Sequence, residues 1–243
     1  MFAHILNACN PVITHSINSN VILYVIHEIV YSQEKKHLMM AVQQLHSPTI
    51  DTRLEGIIKL ENLGKTHPKY TWEIIEILTT FVRINSPCKT YEEVKDIVSL
   101  KIHPDIQASL SVISRSDSQQ YVEYKQIDLS HTDLRKTNLC EANLAGANLY
   151  QVNLSGANLS GANLSGAILS AANLSEANLA SANLSGAILS AANLSEANLS
   201  KANLMKANLY LANLSQANLQ DAIFDGANLR EVKFSGQETT DVE

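Results

Sequence analysis

The stretch "GAILSAANLSEANLASANLS" (residues 166–185) is followed at once by "GAILSAANLSEANLSKANLM" (residues 186–205), and the two match at 17 of 20 positions. They differ only at Ala180/Ser200, Ser181/Lys201 and Ser185/Met205. A shorter period runs inside them. From Leu129 to Phe234 a large apolar residue, position i, falls at every fifth place, which makes 22 units. Leu fills position i throughout except at Phe224 and Phe234, position i−2 is nearly always Ala, and i−1 is usually Asn. Positions i+1 and i+2 are mostly Ser, Gly or charged.

A period of five suits neither an α-helix nor a flat strand, whose side chains recur at 3.6 and 2 residues. A chain that turns a corner every five residues closes a square after four units, and one whole circuit is then the twenty-residue block that was duplicated. Leu at i and Ala at i−2 point inward, large beside small, and fill a narrow tube. Positions i−1, i+1 and i+2 face out. Coils pair their backbones at about 4.8 Å, so 5.5 coils make a rod roughly 26 Å long. Ile127, Thr132 and Thr137 at i−2 depart from the pattern and predict a looser first coil. The recurring Asn-Leu-Ser, as at Asn153-Leu154-Ser155, is a by-product of the repeat rather than a set of glycosylation acceptors.

This A-N-L-S-x tandem resembles the pentapeptide repeat family, and over residues 127–234 the resemblance implies a right-handed quadrilateral β-helix. The preceding pattern, RLEGIIKLENL, WEIIEILTTFVR and DIQASLSV ahead of IDLSHTDLRKTNL, is similar to a region found before the repeat in many cyanobacterial members. In several of those members membrane-spanning segments come first. None is evident here, since the apolar "VILYVIHEIVY" (21–31) is eleven residues long and contains His27 and Glu28. Membrane association is therefore not expected.

The fold class read from the sequence is α+β. An all-α module over 1–126 precedes the β-helix of 127–234, and a disordered acidic tail, "SGQETTDVE", closes the chain over 235–243. Helices are predicted over 35–45, over 50–64 with Leu54, Ile57, Ile58 and Leu63 inward and Gly64 as the stop, over 68–84 with Trp72, Ile75, Leu78, Phe81 and Val82 inward, and over 91–100. A capping helix near 103–116, with Pro104 in its first turn and Ile106, Leu110 and Ile113 along one side, is placed to cover the strand edges at the start of the rod.

The isoleucines that replace Asn at i−1 decide the functional reading. Residues twenty apart stack, so Ile168 lies over Ile188 on one face, with Ala171, Ala191 and Leu211 beside them at i+2 and Tyr150 and Tyr210 at i+1, one coil above and one below. An outward apolar stripe with flanking tyrosines marks a contact surface. Local packing of β-branched residues, copied along with the coil, is the alternative, and Ile223, on a different face, favours it. At the far end Phe224 and Phe234 either plug the tube or form a two-fold dimer contact, the latter implied by resemblance to members that pair through their last coil.

Chemistry is not expected. The eight His have no metal spacing beside Cys or carboxylate, and no phosphate loop or nucleophile elbow is present. No cofactor, metal or nucleic-acid partner follows. Net charge is −6, and residues 127–234 carry eight acids against six bases. Such balance is poor for mimicry of a DNA duplex, the gyrase-inhibiting role that the resemblance implies for some members. The three widely spaced Cys suit a reducing, cytoplasmic compartment. The reading is a non-enzymatic interaction scaffold with protein partners, a homodimer through the last coil or the Ile/Tyr face among them. Membrane-associated regulation is a further alternative.

Overall fold

The computed structural model describes residues 33–88, 102–115 and 125–234. The predicted helix over 91–100, the apolar segment 21–31 and the tail 235–243 lie outside the described residues. Helix α1 spans residues 33–45. It is followed by α2 (Ile50–Thr66), a single 3-10 turn (Pro68–Tyr70), α3 (Thr71–Asn85) and α4 (Pro104–Arg115).

The predicted helix over 68–84 is divided. Its first three residues form the 3-10 turn, because Pro68 opens it and the Tyr70 amide bonds the His67 carbonyl at 3.0 Å. Gly64 does not end α2, which runs on through Thr66. Ile58 is corrected as well. It is 55% exposed, and the inward positions of α2 are Gly56, Ile57, Leu60 and Leu63. Gly56 is where α1 crosses, since a Cβ there would stand 2.9 Å from the Ala41 carbonyl oxygen. The predicted inward faces of the third and fourth helices hold: Trp72, Ile75, Leu78, Phe81 and Val82 are buried, as are Ile106, Leu110 and Ile113.

From Asp128 onward each i−1 residue forms a parallel bridge with the residue twenty later, from Asp128–Asn148 to Asn213–Lys233. The Leu at position i is fully buried from Leu144 through Leu209, and so are its Ala neighbours at i−2, apart from Val152. Two devices turn each corner. Position i+2 takes a left-handed backbone at every unit from His131 to Glu231, with φ between 53° and 68°. The Asn side chain at i−1 supplies an oxygen to the amide at i+1, as in Asn158 Oδ1 accepting from Ser160 at 3.2 Å. The same Asn columns bond from coil to coil, for example Asn178 Nδ2 to Asn158 Oδ1 at 3.3 Å.

The first coil is not loose. Thr132 and Thr137 are buried, and their hydroxyls donate to the carbonyls of Leu129 and Leu134 at 2.7 and 2.8 Å. The helical region covers all four sides of that coil. Arg83 meets Asp128 at 2.8 Å, and residues 86–88 pair as a short antiparallel strand with Thr132, the Asp133 amide bonding Ser86 O and the Cys88 amide bonding His131 O. The Gln107 side chain clamps the backbone of Asn138, and Asn143 donates to the Ser114 carbonyl at the end of α4. Helical core and tube form one continuous apolar cluster.

Inside the helical region Arg53 bonds Asp105 at 2.6 Å while also capping the carbonyls of Ser47 and Pro48. Because both side chains are largely buried, Asp105→Ala strands a guanidinium and should cost about 3 kcal/mol. Leu179→Ala, in the middle of the tube, should cost a similar amount, about 3 kcal/mol. Chemical denaturation of the two variants checks both values. The start of α1 is tied at Glu34, whose carboxyl is held below its usual range by the Lys69 ammonium and, secondarily, by His67. A lowered carboxyl contributes its stability above the unfolded-state pKa and loses it as pH falls through the folded one. Protection of the α1 amides from exchange should therefore drop in mild acid, and Glu34→Gln should remove that pH dependence.

Candidate interaction face

Each side of the tube presents one column of i−1 residues between two columns of turns. On the side holding Leu149, Leu169, Leu189 and Leu209, that column reads Asn148, Ile168, Ile188, Asn208, joined by successive bridges. The turn leaving this side carries Tyr150, Ser170, Ser190 and Tyr210 at i+1, and Gln151, Ala171, Ala191 and Leu211 at i+2. The turn entering it carries Ala145, Ser165, Ser185 and Met205, then Gly146, Gly166, Gly186 and Lys206. The structure thus brings Ile168 and Ile188 into direct register, with Tyr150 and Tyr210 one coil to either side.

Exposure differs along the stripe. Tyr150, Ile188 and Leu211 are exposed, at 39%, 38% and 47%, while Ile168 and Tyr210 are half-buried. Tyr150 is held edge-on against His131, with ring centroids 5.3 Å apart. Met205, 38% exposed at the entering turn, widens the patch and was not singled out by the sequence reading. Its signal was the one Ser-to-Met difference between the duplicated blocks. Ile223, 44% exposed, stands on the adjoining side below Asn203, around the corner from Met205.

The face is held at a local cost. Elsewhere Asn at i−1 accepts from the i+1 amide and bonds the next coil, but Ile168 and Ile188 can do neither. The Asn column is interrupted for two coils, where the backbone bridge continues and the Ser170 and Ser190 hydroxyls bond side chain to side chain at 2.9 Å. Leu211 adopts φ +60°, the left-handed backbone that i+2 takes in every unit, which costs a non-glycine residue about 1–2 kcal/mol on any side of the tube. Between Gly146 and Tyr210 this face carries no charged residue apart from Lys206 at its edge. The turns of the other sides carry Lys136, Glu141, Glu176, Glu196 and Lys201.

At the C-terminal end Phe224 is half-buried against the core and Phe234 is 37% exposed. The neighbouring interior residues Ala217, Leu219, Ala222, Ala227 and Leu229 are likewise only partly buried.

Replacing the stripe should not harm the fold. Ile168→Asn with Ile188→Asn restores an unbroken Asn column from Asn148 to Asn208, and Leu211→Gly relieves a left-handed leucine. Thermal melts should show the double variant at least as stable as the parent, and Leu211→Gly more stable by up to about 1 kcal/mol.

Comparison with known proteins accords with this geometry. The family model described as pentapeptide repeats matches in eight copies over residues 125–161, 157–195, 172–210 and 197–236. Among solved structures, HetL, a pentapeptide repeat protein involved in heterocyst differentiation regulation from the cyanobacterium Nostoc sp. strain PCC 7120, is 36% identical. That match covers 44% of this chain and 62% of HetL, with a TM-score of 0.35. Rfr23, from the cyanobacterium Cyanothece 51142, is 38% identical over 46% of this chain and 67% of its own, at a TM-score of 0.30. QnrB1, a plasmid-mediated fluoroquinolone resistance protein, is 26% identical over 45% of this chain and 59% of its own, at 0.33. No curated protein matches the chain. With the repeat, the family-model match and the 38% identity over 67% of Rfr23, the chain belongs to the pentapeptide repeat family.

Proposed function

We propose that this protein is a non-enzymatic scaffold for protein–protein contact, built as a right-handed rod of 22 five-residue units in about 5.5 coils and bound by its partner on the Tyr150–Ile168–Ile188–Tyr210 side. The division is a helical region over 1–126, which organises the start of the rod, and a displaying rod over 127–234. The observation that carries the reading is the Ile/Tyr face, charged between Gly146 and Tyr210 only at Lys206 on its edge and maintained where the Asn column would otherwise run through. Exposed apolar area with aromatic anchors is the composition of a binding patch rather than of a solvated wall. Interior side chains fill the tube and leave no room there for a substrate. Free Cys88 and Cys140 accord with a reducing, cytoplasmic setting.

Mimicry of DNA is not favoured, because eight acids and six bases spread over the rod do not reproduce a dense phosphate charge. Among the described residues no helix is long and apolar enough to cross a membrane. Partner capture from native extract should succeed with the full chain, fail with Ile168→Asn/Ile188→Asn, and be indifferent to Glu176→Gln/Glu196→Gln on another side. Equal capture by all three would remove the stripe from the reading, and inhibition of gyrase supercoiling by the purified chain would restore the mimic.

A further inference from the structure

Along the rod the Ile/Tyr face has a two-fold pattern. About the midpoint between the Ile168 and Ile188 coils, the i−1 column reads Asn148, Ile168 | Ile188, Asn208. The i+1 column reads Tyr150, Ser170 | Ser190, Tyr210. The i+2 column reads Gln151, Ala171 | Ala191, Leu211. The pairs Ile168/Ile188, Tyr150/Tyr210 and Ser170/Ser190 mirror one another about that midpoint, while Gln151/Leu211 and Ala145/Met205 do not, so an inverted copy meets like residues along two of the columns, in the reciprocal pairing of an isologous contact.

We propose that the occupant of this face is a second copy of the same chain, running antiparallel, with the two-fold axis lying in the interface between the Ile168 and Ile188 coils. The proposal rests on the reading of this side as a contact surface and names its partner. In that register Ile168 faces Ile188 of the second copy, and Tyr150 faces its Tyr210. The next coils outward carry the charges. Lys125, on the entering turn of the first coil with its ammonium 5.4 Å from the centre of the Trp72 ring, faces Asp225 of the second copy, His131, on the leaving turn, faces its Glu231, Asp128, already paired with Arg83, faces its Asn228, and Ser130 faces its Arg230. Lys125, Asp225, His131 and Glu231 are exposed. Lys206 meets only Gly146, so no like charges oppose.

Other registers lose this match. Shifting by one coil toward the C-terminus puts Asp225 opposite Ala145 and Glu231 opposite Gln151, leaving Lys125 and His131 without a facing coil. Shifting the other way puts Lys125 against Met205 and His131 against Leu211. Only the central register places Lys125 opposite Asp225 of the second copy.

The contact is small. Six rows spaced about 4.8 Å apart, across a face roughly 15 Å wide with its turns, give about 360 Å² per copy, below the standard size for a stable interface. Dimerisation should therefore be reversible and dependent on concentration.

Sedimentation equilibrium of the full chain from micromolar to millimolar concentration tests this. The parent should pass from monomer to dimer, and Ile168→Asn/Ile188→Asn, folded by circular dichroism, should remain monomeric throughout. Asp225→Lys alone should weaken the dimer about tenfold, and adding Lys125→Glu to it should restore the parent constant. A parent that stays monomeric at every concentration overturns the proposal. The contact-surface reading then survives only if the Ile variant still loses a different captured protein. A dimer indifferent to the Ile variant overturns both, and failure of the charge exchange to restore association overturns the antiparallel register.

Discussion

Turning a corner every five residues is the constraint on which the structure depends. A polypeptide of L-residues resists a sharp left-handed step, yet this chain takes one at i+2 in every unit from His131 to Glu231, and only six of those positions are glycine. The step persists because everything around it supports it. The Asn oxygen at i−1 caps the amide at i+1, the backbone at i−1 and i pairs with the coils on either side, and Leu with Ala fills the interior without gaps. No single turn would be stable alone. Each coil holds its neighbours in the strained conformation, so the tube forms as a stack.

A stacked tube has two ends, and they are treated differently. At the start, four separate pieces of the helical region meet the four sides of the first coil, and the buried apolar surface continues without a break from α3 and α4 into the tube. At the other end the interior leucines and phenylalanines of the last coil are partly exposed. The helical region is thus the foundation of the rod. Its Arg53–Asp105 pair, buried among helices that carry few other internal charges, fixes how α4 is presented to Asn138 and Asn143.

Against such regularity, departures carry information. Wherever Asn stands at i−1, the position contributes to the wall itself. Ile168 and Ile188 give up that contribution and put apolar surface outward instead, next to Tyr150, Tyr210, Met205 and Leu211. These hydrogen bonds are given up over two consecutive coils on this side, at Ile168 and Ile188, and once on the adjoining side, at Ile223, and the contact surface proposed above rests on the consecutive pair. The alternative retains one supporting fact, the Ile223 substitution on the adjoining side, although Met205 at the intervening corner brings that residue close to the same patch.

Sequence alone determined the tube, because a five-residue period with two inward positions admits no helix or flat sheet and the duplication spells out one circuit. It also placed the stripe, since residues twenty apart must stack. It located two helical faces correctly and misjudged Ile58 and the first turn after Pro68, where helical spacing continues through residues that the tertiary contacts treat differently. What the tertiary structure alone decided is how the ends are joined. The short strand 86–88 against Thr132, the Gln107 clamp on Asn138 and the Arg83–Asp128 pair link residues tens of positions apart with no shared period. Periodicity reports only what repeats. A cap is by nature the one place where the repeat stops, so its partners are set by which backbone groups remain unpaired, and that is known only once the coil has closed.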